Sequence, residues 1–125
     1  MKTSILAASL IALASHANSG VVYDHNDLPR IKEVSGNNAA LFVRDYRGKT
    51  FSARMPFFNV TQTVIQQDFK AGFGTGLLPD VECKITNPRT LGQLADASEN
   101  DIFFVSGRIK DTILGVLQLE DCKIR

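Results

Sequence analysis

Between Phe51 and Phe57 the side chains alternate without a break. Phe51, Ala53, Met55 and Phe57 take one phase; Ser52, Arg54 and Pro56 take the other. A period of two belongs to a strand with one buried face. Pro56, which has no amide hydrogen to give a ladder, marks a bulge or an edge position. The same period returns at Val81, Cys83 and Ile85, separated by Glu82 and Lys84, and again at Phe103, Val105, Gly107 and Ile109. These segments predict a mainly β domain whose core is lined by one phase of each strand.

The remaining segments are placed around those strands. Asn18–Pro29 is polar and without period, and residues 18–34 are expected to form a mobile arm. The stretch from Ile31 to Tyr46 reads as helical in its second half, with Ser35 or Asn37 as its cap and Gly48 as its stop. Thr61–Phe69 carries both helical spacing and β-branched residues, and the balance favours a strand. Gly72, Gly74 and Gly76 suggest a flexible connection up to Pro79. Thr90–Ala97 predicts a short helix with Leu91, Leu94 and Ala95 on one face, and Gly115–Ile124 a last strand after a connection at Lys110–Leu114.

The first residues have a different character. Lys2, the apolar run Ile5–Leu13 and the small residues Ser15 and Ala17 have the order of a secretory signal, with cleavage after Ala17 or Ala14. The domain expectation is therefore a signal over 1–17, the arm over 18–34 and one folded domain over 35–125, in a chain of 125 residues that is too short for two sizeable cores. Loss of Lys2 leaves 13 basic residues against 13 acidic ones in the remaining 108. Nucleic-acid binders usually carry an excess of Lys and Arg, so this balance argues against such a partner. An exported location, periplasmic or secreted and without a lipid anchor, follows from the signal and from the absence of a Cys just after it.

Two cysteines, Cys83 and Cys122, lie beyond the signal. An even count in an exported chain points to one disulfide. Free core thiols are the alternative; a zinc site is disfavoured by the absence of a CxxC pair and of a nearby His.

Five strands with a helix between the third and fourth is the order of an OB-fold, a small Greek-key barrel. Four motifs extend the likeness: Tyr46-Arg47-Gly48-Lys49 before the first strand, Val81-Glu82-Cys83-Lys84-Ile85, Val105-Ser106-Gly107-Arg108-Ile109 and Leu119-Glu120-Asp121-Cys122-Lys123-Ile124. In these the chain, from about Asn38 to Arg125, resembles the bacterial exported OB-fold domains of the tRNA-anticodon-binding-like family. The resemblance implies a five-stranded barrel with an N-terminal helix. In such a barrel the third and fifth strands are neighbours, which brings Cys83 and Cys122 within reach of each other. A bulge near Glu120-Asp121 is then needed, because Leu117 and Leu119 are in opposite phase to Cys122 and Ile124 and all four belong inside.

No catalytic constellation stands out. His25, the one histidine beyond the signal, lies in the arm, and Asp24-His25-Asn26-Asp27 reads as a solvated tail more readily than as a metal site. The Gly72–Gly76 run lacks the Lys-Ser/Thr of a phosphate loop. No cofactor and no metal are expected. The function expected is a non-catalytic binding module for a protein, peptide or oligosaccharide of the cell envelope; the alternative is a structural or stress-related protein that acts by self-assembly. OB-folds hold extended ligands across strands 2 and 3, so Phe58, Phe69, Phe73 and Arg54 are the candidate ligand-binding residues, with Phe57 assigned to the core.

Overall fold

The computed structural model describes residues 20–65 and 68–125; the signal sequence expected at 1–17 lies outside them. In chain order the elements are β1 (Val22–Tyr23), a 3-10 turn (His25–Asp27), α1 (Leu28–Asn37), α2 (Ala39–Asp45), β2 (Thr50–Gln62), β3 (Phe69–Phe73), β4 (Val81–Ile85), α3 (Pro88–Ala95), β5 (Ile102–Ile113) and β6 (Val116–Ile124). The sheet runs β1-β2-β3-β4-β6-β5, and a further pairing of β2 with β5 closes strands β2 to β6 into a barrel. With α3 between the third and fourth barrel strands, this is the OB-type architecture that the order of segments predicts.

Closure depends on β2, whose 13 residues serve two neighbours. Thr50–Pro56 pair with β5; Phe57–Gln62 pair with β3, with a register shift between Phe57 and Asn59 that leaves Phe58 as the extra residue. The strand turns from one partner to the other at the irregularity that Pro56 signals, and one long strand thereby joins both edges of the sheet. The inward phase is the predicted one: Phe51, Ala53, Met55 and Phe57 are all buried.

The arm is the largest correction to the layout. From Leu28 onward it is helix α1, and Leu28, Ile31 and Val34 are buried in the same cluster as the barrel interior. Their spacing of three puts them on one face, while Pro29 occupies the first turn, where its missing N–H costs nothing. The polar residues between them mask a short apolar stripe. Asn38, rather than Ser35 or Asn37, caps α2 by accepting a hydrogen bond from the Leu41 amide at 3.0 Å. Asp24 and Asp27 form a reciprocal capping box over the 3-10 turn, so the acidic cluster around His25 has a structural task.

Two further boundaries differ. Gln62 ends β2 and Phe69 starts β3, and between them Thr63 and Asp68 are joined by N–H to carbonyl and N–H to hydroxyl bonds of 2.8 and 3.1 Å. Gly72 belongs to β3, paired with Asn59 and Glu82, and the glycine-rich connection starts at Gly74. Strand β5 runs on through Lys110 to Ile113.

A disulfide joins Cys83 of β4 to Cys122 of β6, with Cα atoms 6.0 Å apart. The predicted bulge is present. Ser106 pairs with Lys123 and Arg108 with Glu120, so β6 spends one residue more than β5 over this interval, and Asp121 has a φ of +53°. The extra residue lets Leu117, Leu119 and Ile124 all be buried and lets Cys122 pack against them. Gly107 explains its own motif. A Cβ at this position lies 2.9 Å from Cys122 Sγ and 3.0 Å from Leu119 Cβ. Gly107→Ala is accordingly expected to lower the unfolding free energy by about 1–3 kcal/mol, read as a shift of the urea midpoint at unchanged slope.

Candidate functional site

The outer faces of β3, β4 and β6 carry a polar ladder. In register, Lys70 lies opposite Lys84, and Glu82 opposite Gln118. Lys70 Nζ donates to Gln118 Oε1 at 2.9 Å, and Gln118 Nε2 donates to Glu82 Oε1 at 2.9 Å. Gln118 is the one buried polar residue among those described, and its carbonyl and its amide nitrogen are both satisfied. It therefore bridges the Lys70 ammonium to the Glu82 carboxylate. Lys84 Nζ is 3.4 Å from Asp68 Oδ2, at the end of the β2–β3 loop.

Along this ladder runs a groove of about 130 Å³. Lys70, Lys84 and Lys110 face Asp68, Asp111 and Glu120 around Gln118, with Ile113 and Leu119 completing the lining. Arg108 hydrogen-bonds Glu120 at 2.8 Å and holds its carboxyl below the usual carboxylate range. The site is thus charge-balanced, with donors and acceptors interleaved along it.

Loops stand at both ends. At one end the β2–β3 loop exposes Val64 and Ile65, each more than 90% accessible. At the other, the two-residue turn Leu114-Gly115 joins β5 to β6, and both residues have positive φ, +52° and +78°. Such turns favour Asn or Asp followed by Gly. Leu114, in the left-handed region and 87% exposed, gains nothing from the fold that would offset that conformation.

The four ligand-binding candidates are not brought together. Phe73 is fully buried, packed edge-on against Phe57 and Phe103 with ring centroids 6.0 and 6.3 Å away. It is core because β3 includes Gly72, which sets Phe73 in the inward phase. Phe69 is half-buried against the core, Phe58 is the half-buried bulge residue, and Arg54 is exposed on β2, opposite Phe104 of β5 and so away from the groove. Lys70, Gln118 and Lys110 were missed. Gln118 between Leu117 and Leu119 does carry the alternation signal, but Lys70 could be placed only once β3 was known to begin at Phe69. Among the described residues there is no cluster of three or more His, Cys, Asp or Glu fit to hold a metal, and no helix long and apolar enough to cross a membrane.

No protein-family model matches the sequence, and no curated protein matches it. A solved structure does resemble the fold: a "putative nucleic acid-binding lipoprotein" from Klebsiella pneumoniae subsp. pneumoniae MGH 78578, at a TM-score of 0.57 and 13% identity, over 90% of this chain and 96% of that one. At that identity the likeness is one of fold. It does correct one expectation. The exclusion of a nucleic-acid partner rested on net charge, and a protein of this architecture carries a nucleic-acid-binding description. Net charge averages over the whole surface and says nothing of where the cations stand.

Proposed function

We propose that the protein is a non-catalytic binding module of the cell envelope that holds an extended polymer across the outer face of β3, β4 and β6. The observation that carries this reading is the groove between two loops, built on the buried and fully paired amide of Gln118. At about 130 Å³ it is smaller than the roughly 300–1,000 Å³ of small-molecule pockets. A chain lying across it suits the shape better. A polypeptide segment matches the lining best, since its amides offer donors and acceptors in turn and its charge is not forced to one sign. Apolar side chains of the segment would meet Ile113, Leu114, Val64 and Ile65. The signal-like start of the sequence and the lipoprotein description of the structural neighbour support the envelope location. That neighbour's description also supports nucleic acid as a second ligand class, and the four motifs support kinship with the tRNA-anticodon-binding-like exported domains.

Panning a random peptide library on the protein, followed by calorimetry of the selected peptides, tests the reading. Lys84→Glu is expected to weaken the selected peptides about tenfold or more, the scale of one lost charge-assisted contact. Binders indifferent to that change would move the peptide site off the groove and overturn the reading, and a stable oligomer that selects none would favour self-assembly instead. Leu114→Asn is expected to act in two directions: about 1 kcal/mol more stable, from relief of the left-handed leucine, and weaker in peptide binding.

A further inference from the structure

We propose that a second face of the barrel, the outer surface of β2, β5 and β6 beside the groove, is a binding surface for single-stranded nucleic acid. The register lines up its residues in rows. Arg54 of β2 lies opposite Phe104 of β5. Phe104 in turn exchanges backbone hydrogen bonds of 2.7 and 3.0 Å with Arg125, just past the end of β6. Phe103 and Val105 pack against or within the core, so Phe104 points outward, and its ring is half-exposed between two arginines. The Arg125 guanidinium carbon stands 5.1 Å from the ring centroid, a cation–π contact that orders the arginine before any ligand arrives. The next row is Ser52, Ser106 and Lys123, with Ser52 Oγ donating to Ser106 Oγ at 2.8 Å.

Charge and chemistry together select the occupant. Arg54, Lys123 and Arg125 are exposed and form no ion pair with a carboxylate among the described residues, whereas Arg108 in the following row is engaged by Glu120 and Asp121. Three cations without a carboxylate side-chain partner among the described residues, one of them already stacked on the ring, therefore share two rows with Phe104 and two hydroxyls. Phosphates would take the cations and hydroxyls, and a base would stack on the ring or on the guanidinium plane beside it. An acidic peptide would use the cations and leave the ring idle. The Arg108–Glu120 pair marks where this face meets the groove, so the two surfaces are contiguous but separately mutable.

Fluorescence anisotropy with a labelled oligothymidylate of about 20 nucleotides at low salt tests the proposal. Phe104→Leu keeps an apolar residue and all the charges; it is expected to weaken binding about tenfold with the salt slope unchanged, as loss of one stacked base does. Arg54→Ala with Arg125→Ala is expected to weaken binding and to flatten the slope of log K against log salt by roughly 0.7 per lost phosphate contact. Lys84→Gln, which removes one charge from the groove, is expected to weaken oligonucleotide binding no more than Arg89→Ala, which removes an exposed cation from α3. The proposal is overturned by absence of binding at low salt, by a loss in Lys84→Gln larger than in the arginine pair, or by heparin competing equally well while Phe104→Leu has no effect. The last result would mark a surface for polyanions in general.

Discussion

Phe73→Ala is expected to lower the unfolding free energy by about 3–5 kcal/mol, the range for emptying a large aromatic site in a packed core. Phe73 has no accessible surface, and its ring completes an edge-to-face trio with Phe57 and Phe103, which are themselves 6.0 Å apart. The three rings come from the adjacent strands β3, β2 and β5, and no single neighbour can move to fill the space left by one of them. Urea unfolding followed by near-ultraviolet circular dichroism reads the loss. A change below about 0.5 kcal/mol, ordinary for a surface site, would contradict the burial. Phe58→Ala, at the half-buried bulge, should cost clearly less.

Removing the disulfide is expected to be as severe. The bridge closes a loop with a sequence separation of 39, for which chain entropy gives about 4 kcal/mol. It also ties β4 to β6, whose parallel pairing at Val81, Glu82 and Cys83 is short. Cys83→Ala with Cys122→Ala, compared with the oxidised protein, should lower Tm by about 15 °C. Thiol counting on the denatured, unreduced protein should find no free cysteine. Two reactive thiols in protein taken from its native compartment would remove the bridge from the account. Gly107→Ala should lose part of its penalty in the cysteine-free background, because the Sγ atom that its Cβ meets at 2.9 Å would be gone, while Leu119 Cβ at 3.0 Å and the Glu120 carbonyl at 3.1 Å would remain.

Much of the barrel can be read in the chain because its strands are half-buried. Where one face must be apolar and the other wet, a period of two records the register, as at Phe51–Phe57 and Val81–Ile85. The bulge at Asp121 was legible for the same reason: Leu117 and Leu119 on one phase and Cys122 and Ile124 on the other can share an interior only with one residue added between them. The order of strands and helix then narrows the topology, and the paired cysteines agree with it.

Where burial did not follow a local period, the sequence was silent or misleading. Phe69–Phe73 is a strand with a glycine inside it, and Gly72 reads as a loop until β2 and β4 are seen on either side of it. Helix α1 shows three apolar residues among polar ones, too few to announce themselves without the barrel core they join. The groove and the Arg54–Phe104–Arg125 row are cross-strand constructions. Their members are distant in sequence, and polar residues on exposed strand faces obey no rule that a single chain displays. Local alternation thus determined which side chains go inside. Which outward side chains stand next to one another was decided only by closure of the barrel, because register between strands is a property of the pairing and not of either strand alone.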